Sequence, residues 1–319
     1  MNVRELRGRR VTVVEVGPRD GLQNERATLT TAAKINFVNR LSAANFPVIE
    51  VSAFVSPKWV PQMADAAEVF RGIDRQAGTR YAALVPNLVG LDRALASGAE
   101  QIAVFAAASE SFSRKNINQG IDDSLSNYKK VCAAARSAGL PVRGYLSTVF
   151  GCPYEGRTST AVVVDLTKRL LDMGVFEVAL SDTIGIAHPG QVAEVLEQVL
   201  EQVTPDRIAL HFHDTRGTAL ANVLASLPYG ITTFDASAGG LGGCPYAPGA
   251  AGNLATEDLI YMLNGLGVET GVSIEAISSA SAFVASRLDH ALPSRYAQAL
   301  AASSGLPPAS QQVRGPGGL

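Results

Sequence analysis

Short runs of β-branched and other apolar residues recur along the chain, each followed by a longer stretch in which apolar and polar positions alternate at helical spacing. The runs 11–16, 48–51, 81–85, 101–106, 142–146, 176–180, 208–212 and 232–235 read as eight strands. The stretches 30–44, 65–71, 88–96, 122–138, 159–173, 190–202, 216–227 and 256–263 read as amphipathic helices. Eight strand-then-helix repeats predict an α/β chain closed as a (β/α)8 TIM barrel. A doubly wound sheet is the competing architecture. It stops at fewer strands and needs a glycine-rich dinucleotide turn after strand one, whereas the turn here is Gly17-Pro18-Arg19-Asp20-Gly21. The stretch 274–292 predicts one more helix, a small C-terminal helical extension. Residues 1–300 read as one barrel domain. Residues 301–319, rich in Gly, Pro, Ser and Gln without apolar periodicity, read as a disordered tail.

Composition narrows the class without naming a chemistry. The chain has 319 residues, 47% of them hydrophobic, enough for a large core. A net charge of −2 gives no support for nucleic-acid binding. No apolar run approaches the length of a membrane helix, and no apolar signal core follows the basic start. Three cysteines, Cys132, Cys152 and Cys244, are too few and too odd for a disulfide framework. A reduced, cytoplasmic protein is the expectation, with neither membrane nor nucleic acid as a partner.

Active sites of barrels gather at the C-terminal ends of the strands. Charge concentrates there: Glu15, Arg19 and Asp20 after strand one, Glu50 on strand two, Asp182 on strand six, His211, His213 and Asp214 on strand seven, Asp235 on strand eight. His211 and His213 are two apart on a strand and share a face. Paired imidazoles on one face supply half of a metal site, against the alternative of one core and one surface histidine. Asp20 adds a carboxylate and Asn253 an amide oxygen. That mixed, fairly hard donor set predicts a divalent metal, Mg2+ or Mn2+, with open positions. Arg19 is a cation suited to an enolate oxygen; the alternative is an ion pair with Glu15 or Asp20. Glu50, Asp182 and Glu257 are candidates to orient these groups, or structural ion pairs. The glycine-rich stretch 239–253 predicts a mobile lid delivering Cys244 as acid or base. Cys152, in a similar Gly-Cys-Pro-Tyr string, competes with it, and Cys132 reads as core. His188 and His290 lack metal-site company and read as structural.

The segment Val14-Glu15-Val16-Gly17-Pro18-Arg19-Asp20-Gly21-Leu22-Gln23-Asn24-Glu25 closely resembles the opening signature of the hydroxymethylglutaryl-CoA lyases. So do Phe54 to Met63 and Gly151-Cys152-Pro153-Tyr154-Glu155-Gly156, and the stretch Gly240 to Asp258 resembles that family's catalytic loop. The resemblance runs from about residue 11 to about residue 300. It implies retro-Claisen cleavage of 3-hydroxy-3-methylglutaryl-CoA to acetyl-CoA and acetoacetate, as in leucine catabolism, by a homodimer with an acyl-CoA substrate. It implies Asp20, His211, His213 and Asn253 as metal ligands, and Arg19, Cys244, Glu50 and Asp182 as catalytic. It places Glu15 and Glu257 behind them, and Arg143 and Thr183 facing the acyl substrate. Ala53 stands where serine is frequent, and Ser181 where glycine is common. These two keep open a lyase for a related 3-hydroxyacyl-CoA, such as citramalyl-CoA or a longer-branched hydroxyglutaryl-CoA. A metal hydrolase is a remoter reading, since hydrolases of the amidohydrolase type carry their His-x-His on strand one.

Overall fold

Local rules account for the first helix. In a computed structural model describing residues 3–243 and 251–303, Thr30 precedes helix α1 (Thr31–Ser42), and its side chain accepts from the N–H of Ala33 at 3.3 Å. Phe37, Val38 and Leu41 fall on one face of α1 and are fully buried. Each such burial stabilises by about 1.5–3 kcal/mol. Just beyond the helix Asn45 takes a left-handed φ of 65° and turns the chain into the next strand.

The same unit repeats around the molecule. Strand β1 (Thr12–Glu15) leads to α1, then β2 (Val48–Ala53) to α2 (Ala66–Gly72) and β3 (Arg80–Leu84) to α3 (Leu88–Ala96). Strand β4 (Gln101–Ala107) is followed by two helices, α4 (Glu110–Ile117) and α5 (Ile121–Ser137). Then come β5 (Val142–Ser147), α6 (Thr160–Asp172), β6 (Val178–Asp182), α7 (Pro189–Leu200), β7 (Ile208–Phe212), α8 (Ala219–Ser226), β8 (Thr233–Ala236) and α9 (Thr256–Gly265). The eight parallel strands close into a barrel, with β1 pairing β8 from Thr12↔Thr233 to Glu15↔Ala236. The TIM barrel expected from the alternation is the fold observed.

Three differences have physical causes. Helix α4 lies in a stretch to which the sequence pattern assigns no element, because its polar sequence ESFSRKNI buries only Phe112 and Ser113. Ser109 caps it and Asn118 closes it at a φ of 54°. Helix α8 starts at Ala219, three residues later than expected. Asp214 accepts from the Ala219 N–H at 2.9 Å, and Gly217 takes a φ of 72° in the intervening turn. The expected helix over 274–292 ends at Ala285 (α10, Ile274–Ala285), and a further helix, α11 (Arg295–Ser303), follows Pro293. Residues 301–303, placed in the tail, therefore continue α11; residues 304–319 lie outside the described residues.

The large apolar core fills the layer between strands and helices. Inside the barrel a smaller cluster sets Tyr145 among Ala103, Ala179 and Ala209. Three methyl side chains leave room for one phenol, and below it for the guanidinium of Arg143, which is 2% exposed. This interior is polar where most barrels carry branched aliphatic layers.

Candidate active site

The turn after β1 brings the first two functional residues to the barrel mouth. The N–H groups of Arg19, Asp20 and Gly21 all point at the Val16 carbonyl, at 3.2, 2.8 and 3.2 Å. This wide turn needs glycine at its far end. A Cβ on Gly21 would sit 2.8 Å from the Leu241 Cβ and 2.9 Å from the Ser237 hydroxyl. Glu15 underpins the turn. Fully buried, it accepts from the N–H of Gly17 (2.8 Å) and of Ala238 (2.9 Å) and from the Thr256 hydroxyl (2.7 Å). Burial pushes its carboxyl up to about 8 in spite of these donors. Arg19 does not pair with Glu15. It makes buried ion pairs with Glu50, through Nε, and with Asp20, through Nη1 at 2.6 Å.

His211 and His213 project from the end of β7 toward Asp20. One ligand atom from each of the three residues lies within 4.8 Å of the other two. Asn253 joins them because the returning chain pairs with β7. Asp214 N–H donates to the Gly252 carbonyl at 2.6 Å, Leu254 N–H donates to the Phe212 carbonyl at 3.0 Å, and His213 bridges Asn253 in antiparallel fashion. The Asn253 amide nitrogen donates to Asp20 at 2.9 Å and to the Leu241 carbonyl at 3.0 Å. Its oxygen is buried without a hydrogen-bond partner among the described residues, as is Nδ1 of His213. Orphaned buried acceptors are costly, and a cation is one of the few things that satisfies them. Two imidazoles, a carboxylate and an unpartnered amide oxygen therefore fit a divalent ion.

The electrostatics agree. Burial alone would raise the Asp20 carboxyl, but Arg19, His211 and His213 outweigh it and hold it well below the usual carboxylate range. Burial and the neighbouring His211 push His213 down to about 4, so it is neutral at physiological pH and able to ligate.

Arg19, Asp20, His211 and His213 line a cleft of about 800 Å³ whose walls include Leu84, Phe105, Tyr145, Ser147, Ser181 and Thr183, while Asn253 and Glu50 stand behind the lining. Trp59, Arg114 and Lys115 stand on its margin. Thr183 reaches the cleft as expected and also accepts from the Thr148 N–H at 2.8 Å. Thr148, buried at the end of β5, holds a φ of 59°, a conformation that costs a β-branched residue about 1–3 kcal/mol.

Other expected residues stand elsewhere. Arg143 does not line the cleft. It lies deeper in the barrel, gripping Asp235 with both terminal nitrogens (2.8 and 3.1 Å), Glu177 through Nε (2.8 Å) and the Tyr145 hydroxyl (3.0 Å). Its position on β5, two residues before Tyr145 and four before Ser147, puts it on the interior face but two layers down. Asp182 also stays outside the lining, because its carboxylate closes the loop after β6 by accepting from Ile186 and Ala187, both at 3.0 Å. Burial raises that carboxyl to about 6 against those two bonds. Glu257 accepts from the Gly239 N–H at 2.8 Å and anchors the start of the glycine-rich segment. Cys244 lies outside the described residues. Cys152 is buried at the start of the loop after β5, its sulfur accepting from the Ser109 hydroxyl at 2.9 Å, and Cys132 is core. His290 is less bland than its sequence context: it meets Glu25 at 2.6 Å, and Glu25 also accepts from the Gly242 N–H at 3.4 Å.

Two participants had no assigned role. Tyr145 donates to Glu50 at 2.6 Å and lies 5.3 Å from the Arg19 guanidinium. Asp235 sits 3.1 Å from Nδ1 of His211. The i, i+2 spacing of Arg143 and Tyr145 on β5 was the available signal for the first, and the place of Asp235 on the strand next to His211 for the second.

Known proteins share this arrangement. A family model described as HMGL-like matches residues 10–284. The mitochondrial hydroxymethylglutaryl-CoA lyase of Bos taurus is 52% identical over 291 residues, covering 91% of this chain and 90% of that protein. A crystal structure of hydroxymethylglutaryl-CoA lyase from Pseudomonas aeruginosa superposes with a TM-score of 0.91 at 52% identity, covering 92% of this chain and 98% of that one. An HMG-CoA lyase from Acinetobacter baumannii, solved with coenzyme A and 3-methylmalate, gives a TM-score of 0.86 at 37% identity over 97% of this chain and 98% of that one. With the family model spanning most of the barrel, the chain belongs to the HMGL-like family.

Proposed function

We propose that this chain is a hydroxymethylglutaryl-CoA lyase, cleaving the C2–C3 bond of 3-hydroxy-3-methylglutaryl-CoA to release acetoacetate and acetyl-CoA. One observation carries the reading: Asp20, His211 and His213 converge beside the buried Arg19 guanidinium in one cleft, with the Asn253 oxygen unpartnered among the described residues.

Asp20, His211, His213 and Asn253 would hold the cation. A bound divalent ion supplies Lewis acidity, polarising substrate oxygens and lowering the pKa of a hydroxyl. The 3-hydroxyl must lose its proton for the C2–C3 bond to break. Neutral His213 offers its single lone pair to the cation, whereas ionised Asp20 has two carboxylate oxygens and can hold the cation with one while the other takes the hydroxyl proton. The bonding pair of C2–C3 passes to the thioester fragment as an enolate. Arg19 is placed for that charge: Glu50 and Asp20 hold its Nε and Nη1, which leaves Nη2 outside both pairs. Tyr145 and Glu50 keep the guanidinium in place so that it does not reorganise as charge develops. Protonation of the enolate carbon completes acetyl-CoA, and the Cys244 thiol is our candidate donor.

Mg2+ or Mn2+ is the proposed ion, on the strength of the oxygen donors. A homodimer acting in cytoplasmic leucine catabolism is the setting that the motif resemblance suggests. The chemistry is tested by following acetyl-CoA release from hydroxymethylglutaryl-CoA with Mg2+, using EDTA as control. Ser181 narrows the cleft wall where glycine is common, so the panel should include citramalyl-CoA and longer-branched hydroxyglutaryl-CoA. Absence of acetyl-CoA from every thioester would refute the lyase reading.

A further inference from the structure

The two clustered histidines are held differently. Among the described residues His213 has no partner for its Nδ1, whereas Nδ1 of His211 lies 3.1 Å from Oδ2 of Asp235. Asp235 is its cross-strand neighbour, since β7 and β8 pair with His211 opposite Asp235. The Asp235 side chain is fully shielded from solvent. Both of its oxygens are gripped by the Arg143 fork, Oδ1 by Nη2 at 2.8 Å and Oδ2 by Nη1 at 3.1 Å. Glu177 and Tyr145 occupy the remaining reach of Arg143, so the fork cannot rotate away.

A carboxylate fixed against a guanidinium is ionised and can only accept. The imidazole proton of His211 must therefore reside on Nδ1. Nε2 then carries the lone pair and faces Asp20, 3.9 Å from its Oδ2. That is the tautomer a cation between His211 and Asp20 requires. Ligating histidines are commonly oriented by such an outer carboxylate, and loss of that partner weakens metal affinity about 10–100-fold.

We propose that Asp235, clamped by Arg143, is a positioning residue that locks His211 as the Nδ1–H tautomer and thereby sets the cation affinity of the site. The proposal rests on the metal reading above and gives Arg143 a role beneath the ligands. It also makes the site asymmetric: one imidazole is held by an outer carboxylate, and the other has no partner for its Nδ1 among the described residues.

The test uses the full chain stripped of metal by chelation. Free Mn2+ is followed by electron paramagnetic resonance during titration of wild type, D235N, E177Q, R143K and D20A. D235N is expected to raise Kd about 10–100-fold. R143K keeps the buried charge but cannot fork across both oxygens, and a several-fold rise is expected. E177Q removes a buried negative charge beside Arg143, but the glutamine oxygen can still accept from Nε and Asp235 stays on His211, so its Kd should match wild type. Nitrogen-15 spectra of histidine-labelled protein, with H211N for assignment, read the tautomer in wild type alone, whatever the stability of the variants. A wild-type His211 protonated on Nε2, or a D235N that binds Mn2+ as tightly as wild type while D20A does not, overturns the proposal and leaves the metal reading standing. A D20A protein that binds as tightly as wild type overturns both.

Discussion

Replacing Arg19 by glutamine removes a buried cation from between two carboxylates, and the structure sets the size of the damage. Arg19 is 6% exposed and Glu50 only 1%. Breaking a buried ion pair from one side costs about 3–5 kcal/mol, because the surviving charge keeps its desolvation penalty without its partner. For a chain of 319 residues the unfolding entropy near the midpoint is about 0.7 kcal/mol per kelvin. Arg19→Gln should therefore lower Tm by about 4–7 °C. Turnover should fall much further than that shift would suggest. Loss of one preorganised donor to a developing oxyanion costs at least about 10²–10³-fold in kcat. The pair Arg19→Gln and Glu50→Gln, made singly and together, separates the two effects. The double variant leaves no orphaned carboxylate at position 50, so its Tm loss should be smaller than the sum of the single losses, while kcat stays as low as in Arg19→Gln. Thermal scans and steady-state acetyl-CoA release give both quantities. A folded Arg19→Gln protein within tenfold of wild-type kcat would refute the enolate role, and strictly additive Tm losses would refute the buried-pair argument.

Three further outcomes are expected. Glu15 keeps its proton up to about pH 8 in the folded protein but loses it near 4.5 when unfolded, so the native state binds more protons across that window and this residue's contribution to stability falls as pH rises; urea unfolding of wild type and Glu15→Gln from pH 5 to 8 should show a less negative slope in the variant. Mn2+ at about 100 times its Kd should stabilise by about 2.7 kcal/mol, raising Tm by about 4 °C, and EDTA, Asp20→Ala or Asn253→Ala should abolish or reduce that rise in a calorimetric scan. Gly21→Ala drives a methyl to 2.8 Å from the Leu241 Cβ and should cost about 1–3 kcal/mol by denaturant unfolding, together with a loss of activity as the Asp20 turn is displaced.

The barrel was legible because period and parity are local. Each strand run is followed by a helical stretch, and each strand centre falls within two residues of the centre of its apolar run, the largest offset being β6, Val178–Asp182 against the expected 176–180. Helix α4 was not, because a helix that buries two residues has little apolar periodicity to read. The metal cluster was legible for the same parity reason: His211 and His213 must share a face. Depth within the barrel was not. Arg143, Tyr145 and Ser147 have the same parity on β5, yet Arg143 lies beneath the cleft and the other two line it. Height above the barrel floor depends on the stagger between strands, and that is a tertiary property. Asp182 illustrates the other limit. A carboxylate at a strand end can turn inward to a substrate or outward to cap its own loop, and its donors, the N–H groups of Ile186 and Ala187, appear only once the loop is folded.

Asp20 and Asn253 touch across 233 positions of sequence, and they do so at the seam where the first strand meets the last. Every proposed cation ligand lies near that seam, on the turn after β1, on the end of β7, or on the return beyond β8. A nascent chain carrying only the first half of the barrel holds one of the four. The ion therefore has no complete site to bind until ring closure, the step with the longest loop to close, has taken place. Metal would then act as a latch on a finished barrel and contribute nothing to its nucleation. Added ion should slow unfolding and leave the refolding rate where it was.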